Sequence, residues 1–198
     1  MQKLKPDLIE YISILKKNVK INNYDSIYKL DNKIKLNRNT KKNVWIEAYG
    51  CSANIADSEI IAGTLNSHGY NIVHCIDESD LNIIVTCSVK DSTEHKMLHR
   101  IKQLTVDNKP LLVAGCLTKT ERKKIEKINP NVSLLGPNSL DRSEEAVNLT
   151  FSNNKIVFLD DSSEEKVNLP RLRVNKSISI VEIASGCLSN CSFCQTKI

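Results

Sequence analysis

The feature of the sequence that most constrains its fold is a regular alternation of short apolar segments with longer amphipathic segments, which begins at Asn43 and runs for about 105 residues. The apolar segments predict five strands, at Val44–Tyr49, Tyr70–His74, Asn82–Thr86, Leu111–Gly115 and Ser133–Leu135. The amphipathic segments predict helices at about 55–67, 92–106, 120–128 and 139–149. Strands that alternate with helices pair in parallel, so residues 43–150 are predicted to form an α/β domain with a doubly wound sheet.

A basic extension precedes this domain. Residues 1–42 contain eleven lysines and arginines and four acidic residues, a net charge of +7, whereas residues 43–198 carry −2. Apolar residues at spacings of three and four between Leu4 and Val19 predict one short amphipathic helix. Such an extension is either an electrostatic contact for RNA or a solvated arm without a partner, and the sequence leaves both open.

Two further segments follow the sheet domain. Residues 151–176 are predicted to be a linker, because they contain an acidic loop at 160–165 and an extended Leu169-Pro170-Arg171. Residues 177–198 open with an alternating segment, Ser177–Ile183, that predicts another strand. We expect these residues to begin a second domain that the chain does not finish.

The cysteine content points to metal or redox chemistry. The chain has seven cysteines and opens with charged residues instead of an export signal, so we expect a cytoplasmic protein without a disulfide scaffold. The longest apolar stretch, residues 111–117, is far shorter than the roughly 18–20 residues of a membrane helix, and no membrane partner is expected.

Three of the cysteines, Cys187, Cys191 and Cys194, form a CxxxCxxC motif. Three thiolates at this spacing can each bind one iron of a 4Fe–4S cluster and leave the fourth iron open for a ligand. The alternatives are a zinc site or a chance grouping, but a structural zinc site needs a fourth histidine or cysteine. None occurs elsewhere between residues 177 and 198.

Cys51, Cys87 and Cys116 share a second pattern. Each follows a predicted strand and precedes a polar residue with an acidic residue three positions later, which is typical of a helix start. The three polar–acidic pairs are Asn54 with Asp57, Asp91 with Glu94, and Thr118 with Glu121. Each cysteine is therefore predicted to lie between the end of a strand and the start of a helix.

That position has two consequences. Ligands bind at the carboxyl ends of the strands in open parallel sheets, and a flavodoxin-like strand order of 2-1-3-4-5 makes the three cysteine-bearing strands neighbours. Helix starts also favour anions, which lowers the pKa of a thiol. The alternative for each cysteine is a small buried apolar residue. Cys75 also follows a strand but has no helix pattern after it, so it is interpreted as structural and not as a fourth ligand.

These motifs together resemble the methylthiotransferase family of radical S-adenosylmethionine (SAM) enzymes. The resemblance covers residues 43–198 and includes Tyr49-Gly-Cys51-x-x-Asn-x-x-Asp-Ser-Glu59, Thr86-Cys-Ser-Val-Lys90, Ala114-Gly-Cys-Leu117 and Gly186 with the CxxxCxxC motif. It implies that Cys51, Cys87 and Cys116 hold an auxiliary 4Fe–4S cluster. It also implies that Cys187, Cys191 and Cys194 hold the cluster that binds SAM, at the start of a radical SAM (β/α) barrel.

The resemblance further implies the reaction. One SAM methylates sulfur at the auxiliary cluster, and a second yields a radical that removes hydrogen from carbon 2 of an adenine in tRNA, to which the methylthio group is then joined. Residues 87–94 and 134–139 resemble the archaeal and eukaryotic branch, whose substrate is N6-threonylcarbamoyladenosine beside the anticodon. The rival substrates are isopentenyladenosine in tRNA and a ribosomal-protein aspartate. The resemblance specifies neither the sulfur donor nor the electron donor.

The chain lacks most of the barrel that this family uses. We therefore expect the 198-residue chain to be inactive by itself and its full-length form to be the enzyme. The alternative is a non-catalytic module that binds an iron–sulfur cluster or tRNA.

Overall fold

The computed structural model describes residues 42–88, 91–160, 165–183 and 191–192. Of the basic extension predicted over residues 1–42, only Lys42 lies within these ranges. Cys187 and Cys194 of the CxxxCxxC motif lie outside them, whereas Cys191 is described and exposed.

The described residues alternate between strands and helices. The strands are β1 (Asn43–Ala48), β2 (Asn71–Val73), β3 (Leu81–Thr86), β4 (Leu111–Gly115), β5 (Ser133–Leu135) and β6 (Val157–Phe158). The α-helices are α1 (Ser52–Ser67), α2 (Asp91–Val106), α3 (Leu117–Thr120), α4 (Arg122–Ile128) and α5 (Ser143–Phe151), with short 3-10 turns at Ile76–Glu78, Leu140–Arg142 and Lys166–Asn168. None of the helices in these ranges is both long enough and apolar enough to cross a membrane.

The strands form one sheet in the order β2-β1-β3-β4-β5-β6, and every neighbouring pair is parallel. The predicted doubly wound sheet and the predicted order of its first five strands are confirmed. Because all strands are parallel, their carboxyl ends lie at one edge of the sheet. The register places Ala48 of β1 opposite Val85 of β3, and Thr86 of β3 opposite Gly115 of β4, so these three strands end side by side.

Helices cover both faces of the sheet, and this explains why the inner strands are apolar throughout. On one face, α1 and α5 pack through residues such as Ile60 and Val147. On the other face, α2, α3 and α4 pack through residues such as Ile101, Leu117 and Ile125. Consecutive strand residues point to opposite faces, and all six residues of β3 are buried.

Two strand predictions need correction. β6 was not predicted, although Val157 and Phe158 pair with Leu134 and Leu135 of β5 inside the segment predicted as a linker. The predicted strand at Ser177–Ile183 is wrong, because residues 178–183 have no regular secondary structure. A strand needs a neighbour for its backbone hydrogen bonds, and none of the described strands pairs with this segment. The expected start of a barrel therefore stays a prediction.

Candidate functional site

The three cysteines of the second pattern lie at the carboxyl edge of the sheet, as predicted. Cys51 follows β1, Cys87 follows β3 and Cys116 follows β4, and these strands are neighbours in the order of the sheet. Cys51 directly precedes α1, and Cys116 directly precedes α3. Their accessibility is graded, since Cys87 is buried, Cys116 is half-buried and Cys51 is exposed. The site therefore runs from the protein interior to its surface.

Asn54 connects the Cys51 loop to the Cys87 loop. The prediction that Asn54 caps a helix is wrong, because α1 begins at Ser52 and Asn54 is a buried residue of its first turn. The side-chain amide of Asn54 donates a hydrogen bond to the Thr86 carbonyl at 2.7 Å, and its oxygen accepts one from Cys51 Sγ at 3.1 Å. A single side chain thus fixes the Cys51 thiol relative to the residue before Cys87.

The Thr86 carbonyl oxygen also joins the third loop to the other two. It accepts the backbone N–H of Cys116 at 3.1 Å, in addition to the amide of Asn54. The Thr86 hydroxyl donates to the Ala114 carbonyl at 2.6 Å and so holds β3 against the end of β4. Backbone and buried amide groups therefore fix the relative positions of all three cysteine loops.

Gly50 allows the Cys51 loop to lie directly on Cys87. Its φ of +114° is in the region that favours glycine. A Cβ atom at residue 50 would lie 2.4 Å from Cys87 Cβ and 3.1 Å from Cys87 Sγ, so a side chain there would displace the cysteine. Cys87 is further held by its backbone N–H, which donates to Met97 Sδ of α2 at 3.2 Å.

The thiols differ in how readily they ionise. A hydrogen bond with the Cys87 side chain lowers the pKa of Cys51 to about 5, burial opposes this shift, and backbone groups at the start of α1 assist it. Burial raises the pKa of Cys116, and the nearby charges of Asp57 and Cys51 raise it further. The predicted lowering of thiol pKa is therefore correct for Cys51 and wrong for Cys116, where the loss of hydration outweighs the helix start.

The three cysteine thiols lie close enough to affect one another. The hydrogen bond between the Cys51 and Cys87 side chains and the charge of Cys51 acting on Cys116 bring the three thiols together. Even so, no three histidine, cysteine or acidic side chains in the described ranges are arranged to hold one metal ion. Three cysteine thiols are the donor type that iron–sulfur clusters use, with each thiolate bound to its own iron.

The remaining described cysteine of the sheet domain, Cys75, is not a core residue. It is exposed, and its Sγ lies 3.8 Å from Asp77 Oδ2. The interpretation of Cys75 as a structural residue, and not as a fourth ligand, stays a prediction. Its contact with Asp77 connects it to its own loop and not to the three-cysteine set.

Sequence reasoning missed Lys166, which lies beside this set. Its Nζ atom pairs with Asp57 Oδ1 at 2.7 Å and with Glu182 Oε2 at 3.0 Å. Burial raises the pKa of Asp57 to about 7, although Lys166 opposes that shift. The sequence marked Asp57 as part of a helix start, but nothing in the local pattern links it to a lysine 109 residues away.

Comparison with known proteins gives consistent matches. Residues 43–136 match a family model described as Uncharacterized protein family UPF0004. The chain is 42% identical over 156 residues to the Probable threonylcarbamoyladenosine tRNA methylthiotransferase of Methanothermobacter thermautotrophicus, and 35% identical over 164 residues to that of Pyrococcus horikoshii. It is 30% identical over 161 residues to the Threonylcarbamoyladenosine tRNA methylthiotransferase of Homo sapiens.

Each of these matches covers 78% of the chain. The chain in turn covers 37% of each archaeal relative and 28% of the human one, and so spans about a third of their length.

Proposed function

We propose, starting from the match of residues 43–136 to the UPF0004 family model, that the chain acts in tRNA modification as part of a radical SAM methylthiotransferase. The substrate would be N6-threonylcarbamoyladenosine beside the anticodon of tRNA, as the names of the relatives suggest. The observation that carries the proposal is the convergence of the Cys51, Cys87 and Cys116 loops on the Thr86 carbonyl. This gives the domain a thiol site at the edge where parallel sheets bind ligands.

On this proposal the chain holds two cofactor sites. Cys51, Cys87 and Cys116 would hold an auxiliary 4Fe–4S cluster. Cys187, Cys191 and Cys194 would hold a second cluster together with SAM. When bound, the clusters and SAM supply the sulfur carrier and the radical chemistry that replace a C–H bond of the base by a C–S bond.

The residues of the sheet domain prepare the auxiliary site. In its protonated form the Cys51 thiol donates to Asn54, which orients it. The hydrogen bond from Cys87 lowers the pKa of Cys51, so Cys51 loses its proton readily and becomes a thiolate that can bind metal. Cys87 is buried beneath Gly50 and so excludes water from the inner side of the site. The exposed position of Cys51 leaves the outer side accessible to a substrate.

The first test measures iron and sulfide in the 198-residue chain after anaerobic reconstitution. To isolate the auxiliary site, Cys187, Cys191 and Cys194 are replaced by alanine. We expect about four irons per chain, and less than half of that in Cys51→Ala, Cys87→Ala or Cys116→Ala. Cys75→Ser is the matched control and should keep its iron. Full iron in Cys87→Ala, or loss of iron in Cys75→Ser, would contradict the proposed ligand set.

The second test addresses the substrate. The matching segment of the Methanothermobacter thermautotrophicus relative is replaced by the corresponding segment of this chain, and the reconstituted chimera is incubated anaerobically with SAM, a reductant and modified tRNA. We expect the methylthio derivative of threonylcarbamoyladenosine in the nucleoside mass spectrum, and none with Cys87→Ala. A chimera that modifies only isopentenyladenosine would overturn the substrate. An iron-loaded but inactive chimera would favour the non-catalytic cluster-binding module.

A further inference from the structure

Residues 165–183, here called the strap segment, are held on α1 although they lack regular structure beyond one 3-10 turn. The backbone N–H of Leu172 donates to the carbonyl of Glu59 at 2.9 Å, and that of Val174 donates to Glu59 Oε1 at 3.0 Å. Both the backbone and the side chain of one buried helical residue therefore bind the strap segment.

The middle of α1 is shaped for this contact. A Cβ atom at Gly63 would lie 2.4 Å from the carbonyl oxygen of Pro170 and 2.6 Å from the backbone of Arg171. Only glycine lets the two backbones approach this closely. Arg171 in turn donates from Nη2 to the Lys166 carbonyl at 3.3 Å and from Nη1 to the Ile180 carbonyl at 3.2 Å, which joins the two ends of the strap segment.

Lys166 adds a charged contact at the end of α1 nearest the cysteines. Its ammonium group lies between Asp57 of α1 and Glu182 of the strap segment, and the three side chains are 19%, 4% and 12% exposed. Apart from this contact with Lys166, neither Glu182 oxygen has a hydrogen-bond partner among the described residues. The ion pair with Lys166 is thus the described interaction that balances this buried carboxylate, and removing a partner from such a pair is strongly unfavourable.

This contact lies next to the cysteine site. Asp57 is one helical turn from Asn54, which binds the Cys51 thiol. After burial, the charges that act on the Cys116 thiol include both Asp57 and Lys166, with opposite signs. Without the lysine, the buried carboxylates of Asp57 and Glu182 would lie near each other with no cation between them, which repulsion between like charges disfavours.

We propose that Lys166 is a positioning residue, which holds the strap segment on α1 by bridging Asp57 and Glu182 and so fixes the path of the chain from the sheet domain towards the CxxxCxxC motif. Glu182 precedes Cys187 by five residues, which can span at most about 18 Å. Fixing Glu182 therefore limits how far that motif can lie from the three-cysteine edge. The inference rests on the described contacts and goes beyond the proposed function, which assigns Lys166 no role.

The test is amide hydrogen exchange of the 198-residue chain without metal, read by mass spectrometry on peptides that cover residues 169–176. Lys166→Met should speed exchange of the Leu172 and Val174 amides by about tenfold or more, because the strap segment loses its charged contact. Lys166→Arg keeps the charge and should restore slow exchange. Lys155→Met is the matched control, since it removes a lysine from an ion pair with Glu126 that is remote in sequence from the strap segment.

Three further readouts keep the result unambiguous. Peptides from β3 and β4 report whether Lys166→Met still folds, and Glu182→Gln should loosen the strap segment without altering α1. Iron content at the three-cysteine site should stay unchanged in Lys166→Met, because the lysine is not a ligand. Unchanged exchange in both Lys166→Met and Glu182→Gln would overturn the inference. A wild-type chain that loads no iron would count against the proposed function alone, since the exchange experiment needs no metal.

Discussion

Gly50 decides how closely two of the cysteine loops approach each other. Its positive φ and its contact with Cys87 are separate constraints, because the first concerns the backbone of the turn and the second the space that Cys87 occupies. Gly69, in the same domain, shares only the positive φ. Gly69 has a φ of +88° and follows the last turn of α1, at the end of that helix opposite to Cys51.

Gly50→Ala should destabilise the chain by about 1–3 kcal/mol, through backbone strain and displacement of Cys87, and should reduce iron loading. Gly69→Ala carries the backbone strain alone and should lower stability while leaving iron content unchanged. Urea unfolding and iron analysis on both variants separate the two effects. Equal iron content in Gly50→Ala and Gly69→Ala would show that the spacing at residue 50 is not needed for the site.

The Cys51 thiol offers a test of the site without metal. Since its pKa is lowered to about 5, Cys51 is a reactive thiolate above that pH and a protonated, slow thiol below it. Alkylation by iodoacetamide, followed residue by residue by mass spectrometry, should show a rate that rises through a midpoint near pH 5. Cys87→Ala removes the hydrogen bond that contributes most and should move the midpoint to higher pH. An unchanged midpoint in that variant would refute the contact between the two side chains.

At the scale of single residues, the sequence predicted that Cys51, Cys87 and Cys116 lie at the same edge of the sheet. It did not predict the contacts that hold them there. The strand-then-cysteine pattern was sufficient, because parallel strands bring their carboxyl ends together whatever the loops contain. Asn54 was interpreted as a helix cap because a small polar residue near a helix start serves either purpose. Its partner, the Thr86 carbonyl, is 32 residues away, and no local pattern can identify a contact of that length.

Among the elements, β1 and α2 are joined by a mostly buried ion pair. Arg100 Nε of α2 lies 2.8 Å from Glu47 Oε2 of β1, and its guanidinium lies 5.6 Å from the centre of the Trp45 ring. The two partners are unequally buried, since the Glu47 side chain is 6% exposed and the Arg100 side chain is 28% exposed. Removing Arg100 and removing Glu47 should therefore lower the stability of the domain by different amounts.

Arg100→Met should cost about 3 kcal/mol of stability, because it leaves a buried carboxylate without its cation. Glu47→Gln should cost less, since Arg100 can turn towards water while the glutamine still accepts a hydrogen bond. Urea denaturation of the two single variants and the double variant measures both costs and their coupling. A larger loss of stability in Glu47→Gln than in Arg100→Met would contradict the conclusion that Glu47 is the more buried partner.

The errors in element prediction have physical causes. β6 has only two residues, Val157 and Phe158, and both are half-buried, so the segment lacks the length and the alternation that predict a strand. The segment Ser177–Ile183 has that alternation, but Ile178, Val181 and Ile183 are 57%, 59% and 97% exposed. Alternation predicts a strand only where another strand is available, and that information is not local.

At the scale of the whole molecule, the core of the sheet domain consists of apolar side chains and needs no metal to hold it together. Two groups of buried apolar residues, one on each face of the sheet, lie between the strands and the helices. The burial of apolar side chains is the main interaction that stabilises ordinary globular domains. The domain should therefore resemble a protein that binds a ligand and not a zinc finger, which unfolds without its metal.

Removal of metal from the reconstituted chain by a chelator should thus leave the far-UV circular dichroism unchanged and the urea transition cooperative. The midpoint should fall only by the amount that ligand binding contributes through mass action. The triple variant Cys51→Ala/Cys87→Ala/Cys116→Ala should likewise fold. A chain that loses its helical signal on chelation would show that the core does not stand alone.

The three cysteines are far apart in the sequence, so the sheet must form before the cysteine site can form. Cys51, Cys87 and Cys116 are separated by 36 and 29 residues, and their loops meet only after β1, β3 and β4 have paired. No short segment of the chain contains the site, so the three thiols come together only in the folded sheet. On the proposed function, the cluster is therefore inserted into a folded domain, at the edge of the sheet where β1, β3 and β4 end.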